Sequence, residues 1–178
     1  PYKYLGQALD AASNGKEILL AEGTYTLSGY SLNKKVLIKG VSPAKTIING
    51  PVPLGGSSDL GQMIDVSGTN KFGLSDVTVR NYQDDKPLIS YAITSSAETL
   101  INNVVFTGNN THTKAMIAPS GSSGPSDLYI FNVVAYGNTC AAVVNAAGRN
   151  AQLGQNTVVN NTGTGIVLST TTTAALKN

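Results

Sequence analysis

The chain has 178 residues, enough for one well-cored domain, and 41% of them are hydrophobic. Only 12% are charged and the formal net charge is +2, which excludes a strongly basic nucleic-acid-binding surface and a highly charged disordered chain. No apolar run approaches the roughly 20 residues of a membrane-spanning helix, so we expect no membrane span. The single cysteine, Cys140, excludes an intrachain disulfide, and we expect its thiol to be buried and inert.

The first fifteen residues have helical periodicity. The apolar residues of one helical face are Tyr4, Leu5, Ala8, Leu9 and Ala12. Asn14 and Gly15 follow them as a helix stop. We therefore expect a short amphipathic helix, followed by β-structure.

Internal repeats are the strongest signal in the rest of the chain. Four segments can be superimposed, and they begin at Asp76, Asn103, Asn132 and Asn156, with steps of 27, 29 and 24 residues. A second family of apolar runs alternates with the first, and its central residues are Ile64, Ile89, Ile117, Val144 and Val167. Two interleaved strand families with one shared period indicate a coil that returns to its own starting point.

We therefore predict an all-β fold, a single right-handed parallel β-helix of about six to seven coils with an N-terminal α-helical cap. Successive coils would stack as parallel strands about 4.8 Å apart. The expected domain covers residues 1–178, with the capping helix at 1–15, coils at 16–169 and a C-terminal tail or partial cap at 170–178. Because the chain starts with Pro1, we expect a processed product or a segment of a longer protein.

Superposition of the four segments also predicts which side chains point into the coil. One inward column would contain Val77, Val104, Val133 and Thr157, and the next would contain Val79, Phe106, Ala135 and Val159. The leading residues would lie at a bend, one above another, and form a structural ladder of hydrogen-bonding side chains. This ladder would consist of Asp76, Asn103, Asn132 and Asn156.

Two stretches resemble the pectate-lyase-like right-handed β-helix superfamily. Residues 8–27 are similar to its capping helix and first coil, including a "pGtY" turn that corresponds here to Glu22-Gly23-Thr24-Tyr25. Residues 35–50 are similar to its second coil. The resemblance implies a secreted protein, extracellular or at the cell surface. It leaves the function open, because the superfamily contains polysaccharide lyases, polygalacturonases, pectin esterases, phage tailspikes and noncatalytic adhesins.

Acidic residues near one predicted turn are the candidates for enzymatic chemistry. Lyases of this superfamily combine acidic calcium ligands with an Arg or Lys base, so the resemblance implies Asp65, Asp84 and Asp85 as metal candidates. The catalytic candidates are Asp84, Asp85 and Arg80, and the adjacent Asp pair also resembles the double-Asp element of inverting polygalacturonases. The Trp- and His-containing lyase signature and the Gly-His-Gly and Arg-Ile-Lys elements are missing. A solvated turn is the alternative interpretation, and calcium would be a cofactor only for a lyase.

Tyrosines suggest a different function, sugar binding. Aromatic faces stack on sugar rings, and neighbouring polar side chains bind hydroxyls. The ligand-binding candidates are Tyr82, Tyr91, Tyr136 and Arg80, and we expect Tyr136 and Arg80 to share an outward column.

Two functional hypotheses follow. The first, which we favour, is a noncatalytic extracellular β-helix scaffold, such as an adhesin, fibre or surface-structure segment. It would present or bind glycans, or assemble with itself or another β-helix segment through an open C-terminal end. The alternative is a polysaccharide lyase or glycoside hydrolase acting on acidic polysaccharide.

Overall fold

In the computed structural model the chain is a parallel β-solenoid. The structure describes residues 2–27, 29–50, 61–66, 71–91, 97–120, 126–146, 149–168 and 173–177. All pairings between its named strands are parallel. The predicted all-β class and parallel β-helix architecture are therefore confirmed.

One helix, α1 (Leu5–Ala11), is described, and it packs against the first coil. Leu5 and Leu9 are 1% and 0% exposed and belong to the hydrophobic core. Tyr4 was expected on the same apolar face, but it is the N-cap residue, has an extended backbone and is 58% exposed. The helix is therefore shorter than the predicted cap, and two leucines anchor it.

Lys34 ties the C-terminal end of α1 to the first coil. Its Nζ donates hydrogen bonds to the carbonyl oxygens of Leu9, Asp10 and Ala12 at 3.0, 3.0 and 2.9 Å. The last carbonyls of a helix have no intrahelical donor and carry the negative end of the helix dipole. An ammonium group at this end donates the missing hydrogen bonds and also places a positive charge beside the negative end of the dipole. Tyr30 adds a second link, because its hydroxyl donates to Asp10 Oδ1 at 2.7 Å.

The strands recur in the order that the repeats predict. The first six are β1 (Lys16–Leu19), β2 (Gly23–Thr26), β3 (Tyr30–Ser31), β4 (Val36–Lys39), β5 (Thr46–Asn49) and β6 (Ile64–Val66). Those of the middle coils are β7 (Lys71–Arg80), β8 (Ile89–Tyr91), β9 (Glu98–Thr107), β10 (Ala115–Pro119), β11 (Asp127–Phe131), β12 (Val134–Tyr136) and β13 (Ala142–Asn145). The last are β14 (Asn150–Gly154), β15 (Thr157–Val159), β16 (Thr164–Val167) and β17 (Thr173–Lys177).

These strands stack in three columns. The first column runs β1-β4-β7-β9-β11-β14-β17, and the second runs β2-β5-β7-β9-β12-β15, because the long strands β7 and β9 serve both. The two columns form one sheet, and a second sheet runs β3-β6-β8-β10-β13-β16. Each coil therefore visits the same three positions before the chain moves up one level.

Four coils are described without interruption, at residues 71–91, 97–120, 126–146 and 149–168. This number is smaller than the six to seven coils predicted. Strands β1–β3 and β4–β6 represent two further coils at the N-terminal end, each of which contains residues outside the described part of the chain.

The core lies between the two sheets. Val77, Val104 and Val133 of the first predicted inward column are buried, as are Val79, Phe106 and Ala135 of the second. The fourth member of each column was predicted wrongly, because Thr157 pairs with Val134 and Val159 pairs with Tyr136. Both side chains are exposed, since a shift of one residue turns a strand's outward face inward. The inward residue of β15 is Val158, which packs against the core.

The bend between the first and second columns requires left-handed backbone. Its residues are Asp76, Asn103, Asn132 and Gln155, with φ of 58°, 53°, 54° and 54°. Gln155 therefore takes the place predicted for Asn156. A side-chain hydrogen bond joins Asn103 Nδ2 to Asp76 Oδ1 at 2.7 Å, whereas Asn132 Nδ2 donates to Asn102 Oδ1 at 3.0 Å.

The C-terminal segment, predicted as a tail or partial cap, contains a strand. Residues 173–177 form β17, which pairs with all five residues of β14 and so begins another coil. Residues 169–172 and 178, the rest of the predicted boundary and tail, lie outside the described residues. Cys140 is 3% exposed, and burial raises the pKa of its thiol above the usual value.

Candidate functional site

Tyr82 and Tyr91 belong to the core and do not form a sugar-stacking surface. Both are 0% exposed. The Tyr82 hydroxyl donates to the carbonyl of Gly61 at 3.0 Å, and the Tyr91 hydroxyl donates to the carbonyl of Asn145 at 2.7 Å. Burial raises the pKa of Tyr82, and the nearby Asp84 raises it further. This burial could not be predicted from the residue type, because tyrosine is intermediate between mostly buried and mostly exposed residues.

Asp84 and Asp85 are adjacent, but their surroundings differ. Asp84 is 2% exposed, at the corner between the two sheets. Asp85 is exposed, and its Oδ1 accepts hydrogen bonds from the Thr113 hydroxyl at 2.9 Å and the Thr113 amide at 3.3 Å. The Thr113 hydroxyl, then the amide, lower the pKa of Asp85, so this carboxylate is ionised at neutral pH. The pair is therefore split between a buried position and a solvated turn.

Asp65 does not join these carboxylates in a metal site. It lies in β6 of the second sheet, where it pairs with Ser90 of β8. In the part of the chain that the structure describes, no group of three or more His, Cys, Asp or Glu side chains could hold a metal ion. The predicted calcium ligands are therefore not brought together.

Arg80 and Tyr136 share an outward column, with Thr107 between them. The register pairs Arg80 of β7 with Thr107 of β9, and Thr107 with Tyr136 of β12. Arg80 Nε donates to Asn49 Oδ1 at 3.0 Å, which holds the guanidinium along the column. The Tyr136 side chain is 45% exposed. We call Asn49, Arg80, Thr107 and Tyr136 the polar column.

A second set of asparagines, which the sequence prediction missed, forms a buried ladder at the next corner. Asn109, Asn138 and Asn161 occupy it, and we call them the asparagine ladder. Asn138 Oδ1 accepts from the Asn109 amide at 3.0 Å, and Asn161 Oδ1 accepts from the Asn138 amide at 3.0 Å. Each directly follows a residue with left-handed backbone, Gly108, Gly137 or Asn160. The signal was present, because Gly-Asn or Asn-Asn recurs at these three places.

The side-chain amides of the asparagine ladder also satisfy backbone carbonyls inside the coil. Asn109 Nδ2 donates to the Val79 carbonyl at 3.1 Å, and Asn138 Nδ2 donates to the Phe106 carbonyl at 3.0 Å. Asn109 and Asn138 are each 1% exposed, so these bonds replace water that the corner excludes. The asparagine ladder is therefore structural.

Of all these groups, the polar column presents the largest set of side chains for binding a ligand. It combines a half-exposed aromatic face, a guanidinium and a hydroxyl on three adjacent strands of a regular sheet. Asp85 can accept hydrogen bonds at the corner, but Asp84 lies beneath the surface. A hydrolase of the inverting kind needs two carboxylates facing one bond from opposite sides, and this pair does not have that arrangement.

Comparison with known proteins gave no relative: no family model, curated protein or solved structure matches the sequence. The described helix is too short to cross a membrane.

Proposed function

We propose that the protein is a noncatalytic extracellular β-helix scaffold that binds glycans along the polar column. The observation that carries the proposal is the alignment of Arg80, Thr107 and Tyr136 on adjacent strands. Successive coils are about 4.8 Å apart, so a glycan lying along the column would meet one of these side chains at each coil. The glycan would bind to a rigid sheet that is already ordered in the free protein, so the binding residues would not have to become ordered on binding.

Each member of the polar column has a role in this proposal. The exposed face of Tyr136 would stack on a sugar ring, as aromatic side chains do in carbohydrate sites. Because Asn49 occupies Arg80 Nε, the guanidinium is directed along the column and its outer N–H groups would donate to hydroxyls. Thr107 would contribute a hydroxyl that both donates and accepts.

An extracellular or cell-surface location is part of the proposal. It is consistent with a single buried cysteine and with a surface whose polarity comes mainly from uncharged residues. Expression with a secretion leader, followed by recovery of folded protein from the medium, tests whether the chain tolerates that compartment.

Assembly through the last coil is a further part of the proposal. Strands β15, β16 and β17 each pair on one side only within the described chain. Val167, the last residue of β16, and Leu168, which follows it, are 37% and 41% exposed. Edge strands with apolar neighbours readily accept another strand, so a further β-helix segment would add here by parallel pairing.

A glycan array tests the binding proposal. We expect the wild-type chain to bind one class of oligosaccharide, and Tyr136→Ala to weaken that binding about tenfold or more, because a stacked aromatic contact contributes about 1–2 kcal/mol. Tyr2→Ala is the matched control, since Tyr2 is also exposed, at 60%, and lies outside the sheets. Equal binding by the two variants, or no binding by the wild type, would contradict the proposal.

The alternative, a polysaccharide lyase or hydrolase, is tested with the same protein. We expect no unsaturated uronide and no new reducing ends from pectate or alginate in the presence of calcium. Product formation that Asp85→Ala abolishes would refute the noncatalytic proposal and make the corner turn the catalytic site.

A further inference from the structure

The first strand column has an outward face on which charge and apolar surface are segregated. One line of side chains along the coils consists of Lys35, Lys71, Glu98 and Asp127, which we call the charged line. Two residues further along each strand lie Leu37, Gly73, Leu100 and Tyr129, which we call the apolar line. In the charged line, the two cations therefore lie toward the N-terminal coils and the two carboxylates toward the C-terminal coils. The apolar line beside it is bounded by Glu17 of β1 at one end and Gln152 of β14 at the other.

A groove of about 210 Å³ lies at the centre of this face. Leu37 and Leu100 form its walls, and Gly73 lies between them. Lys71 and Glu98 border the groove and form an ion pair of 3.0 Å. Leu37 packs across Gly73, where a side chain would clash with Leu37 Cδ1. The groove is too small for most drug-sized ligands.

The charged line is antisymmetric about its middle, between Lys71 and Glu98. Reversing the direction of the coils exchanges Lys35 with Asp127 and Lys71 with Glu98, so each cation then meets a carboxylate. The same reversal places Leu100 opposite Gly73 and Tyr129 opposite Leu37. The charged line and the apolar line are therefore each complementary to themselves, a property that a two-fold symmetric interface requires.

We propose that two copies of this chain associate through this face, antiparallel and about a two-fold axis that runs along the strands between β7 and β9. The two sheets would pack about 10 Å apart, as stacked sheets do. Leu100 of each copy would enter the groove at the partner copy's Gly73. Lys35 would pair with the partner copy's Asp127 at both ends of the interface.

Charge order favours a second copy over an unrelated partner. An unrelated protein that binds this face would need the opposite charge pattern, with carboxylates facing Lys35 and cations facing Asp127. A second copy of this chain, with the direction of its coils reversed, already presents that pattern. A third outward line on the same face begins with Leu19, which is 73% exposed, and continues through Lys39, Ser75 and Asn102 to the half-buried Phe131. Association would remove the apolar line from water.

Sedimentation of the full chain at low and high micromolar concentration tests the proposal. We expect the wild type to sediment as a dimer at the higher concentration. Lys35→Glu and Asp127→Lys should each weaken dimerisation about tenfold or more, because each places like charges opposite one another. An equimolar mixture of the two variants should dimerise again, since the new carboxylate of one would face the new ammonium of the other.

Lys114→Glu is the control, because it makes the same change in net charge at the corner turn, where it should leave the dimer intact. Leu100→Glu provides an independent disruption, with a charge at the centre of the interface, should either charge variant fail to give a folded spectrum. A monomeric wild type would overturn the proposal. So would charge variants that dimerise normally, or a mixture that associates no better than its components.

Discussion

The Asn138 side chain is fully engaged inside the protein. Its Oδ1 accepts from both the amide and Nδ2 of Asn109, and its Nδ2 donates to Phe106, Tyr136 and Asn161. With the corner closed to water, these bonds cannot be replaced by solvent. The residue therefore fixes the conformation of three successive coils.

Replacement of Asn138 tests this role. We expect Asn138→Ala to lower the free energy of unfolding by about 3 kcal/mol, because buried donors and acceptors lose their partners and a small cavity forms. Urea unfolding monitored by circular dichroism measures the change. Asn33→Ala is the control, since Asn33 is exposed and should contribute less than about 0.5 kcal/mol. Similar losses for the two variants would contradict a structural ladder.

At this scale, repeats predicted the inward valines and a bend at Asp76, Asn103 and Asn132. They predicted neither the left-handed backbone of that bend nor the register of the last coil. Asn tolerates left-handed backbone better than Gln, so Asn156 was the chemically sensible choice for the bend. The structure places Gln155 there, because parallel pairing of β15 with β12 fixes the register more strongly than one residue's preference does. The burial of corner residues such as Tyr82 was equally hard to predict, because the alternation of inward and outward side chains along a strand ends where the chain turns.

Among the elements, α1 depends on tertiary contacts more than on its own sequence. It has seven residues and no side-chain N-cap hydrogen bond. A helix of this length is unstable in isolation. Its stability therefore comes from the burial of two leucines and from the three hydrogen bonds of Lys34.

Replacement of Lys34 tests how much its hydrogen bonds to α1 contribute to stability. We expect Lys34→Met to cost about 1–2 kcal/mol in the free energy of unfolding, because three carbonyls lose a charged donor at the negative end of the helix. Thermal unfolding measures the loss. Lys45→Met is the control, since Lys45 forms an exposed ion pair with Glu22 that contributes little. An effect no larger than the control's would mean that the leucines alone hold the helix.

Apolar periodicity predicted this helix, whereas its contact with Lys34 had no sequence signal. A lysine that follows a turn is usually solvated. The Lys34 ammonium group reaches the three carbonyls only because the first coil brings the chain back beneath α1. This contact therefore depends on the complete coil. The same limit applies to Arg80, whose partner Asn49 comes from the preceding coil.

For the whole molecule, tyrosines with raised pKa values set a limit on alkaline stability. Burial raises the pKa of Tyr91 to about 12, and burial together with the Asp10 contact raises that of Tyr30 to about 12. Unfolded tyrosines ionise near pH 10. Between about pH 10 and 12 the unfolded chain has therefore lost protons that the folded chain retains, so the free energy of unfolding falls as pH rises.

We expect the thermal midpoint to be lower by several degrees at about pH 11 than at about pH 9, and this contribution to stability to be constant below pH 10. Ultraviolet absorbance of phenolate follows the titration. Tyr91→Phe should reduce the slope of stability against pH, because one shifted group is removed, whereas Tyr2→Phe should not change it. A slope unaffected by Tyr91→Phe would show that this residue titrates alike in both states.

Length, composition and period together predicted the parallel solenoid, because a stack of similar coils repeats its pattern in the sequence. They did not predict which polar groups would converge. The acidic candidates were chosen by proximity in the chain, and the corner separates Asp84 from Asp85 by burial. The polar column required a register across four coils, and only two of its members, Arg80 and Tyr136, could be placed from the sequence.

The asparagine ladder also bears on how such a chain can grow or shrink. In this ladder the Oδ1 atom of one asparagine accepts a hydrogen bond from the backbone amide of the asparagine in the coil below. The same pair of atoms is used at each step. Coils that carry this asparagine are thus interchangeable modules at that corner. Loss of residues 126–146 would leave Asn109 facing Asn161, with the joint chemically unchanged, so whole coils could be duplicated or deleted without redesigning their neighbours.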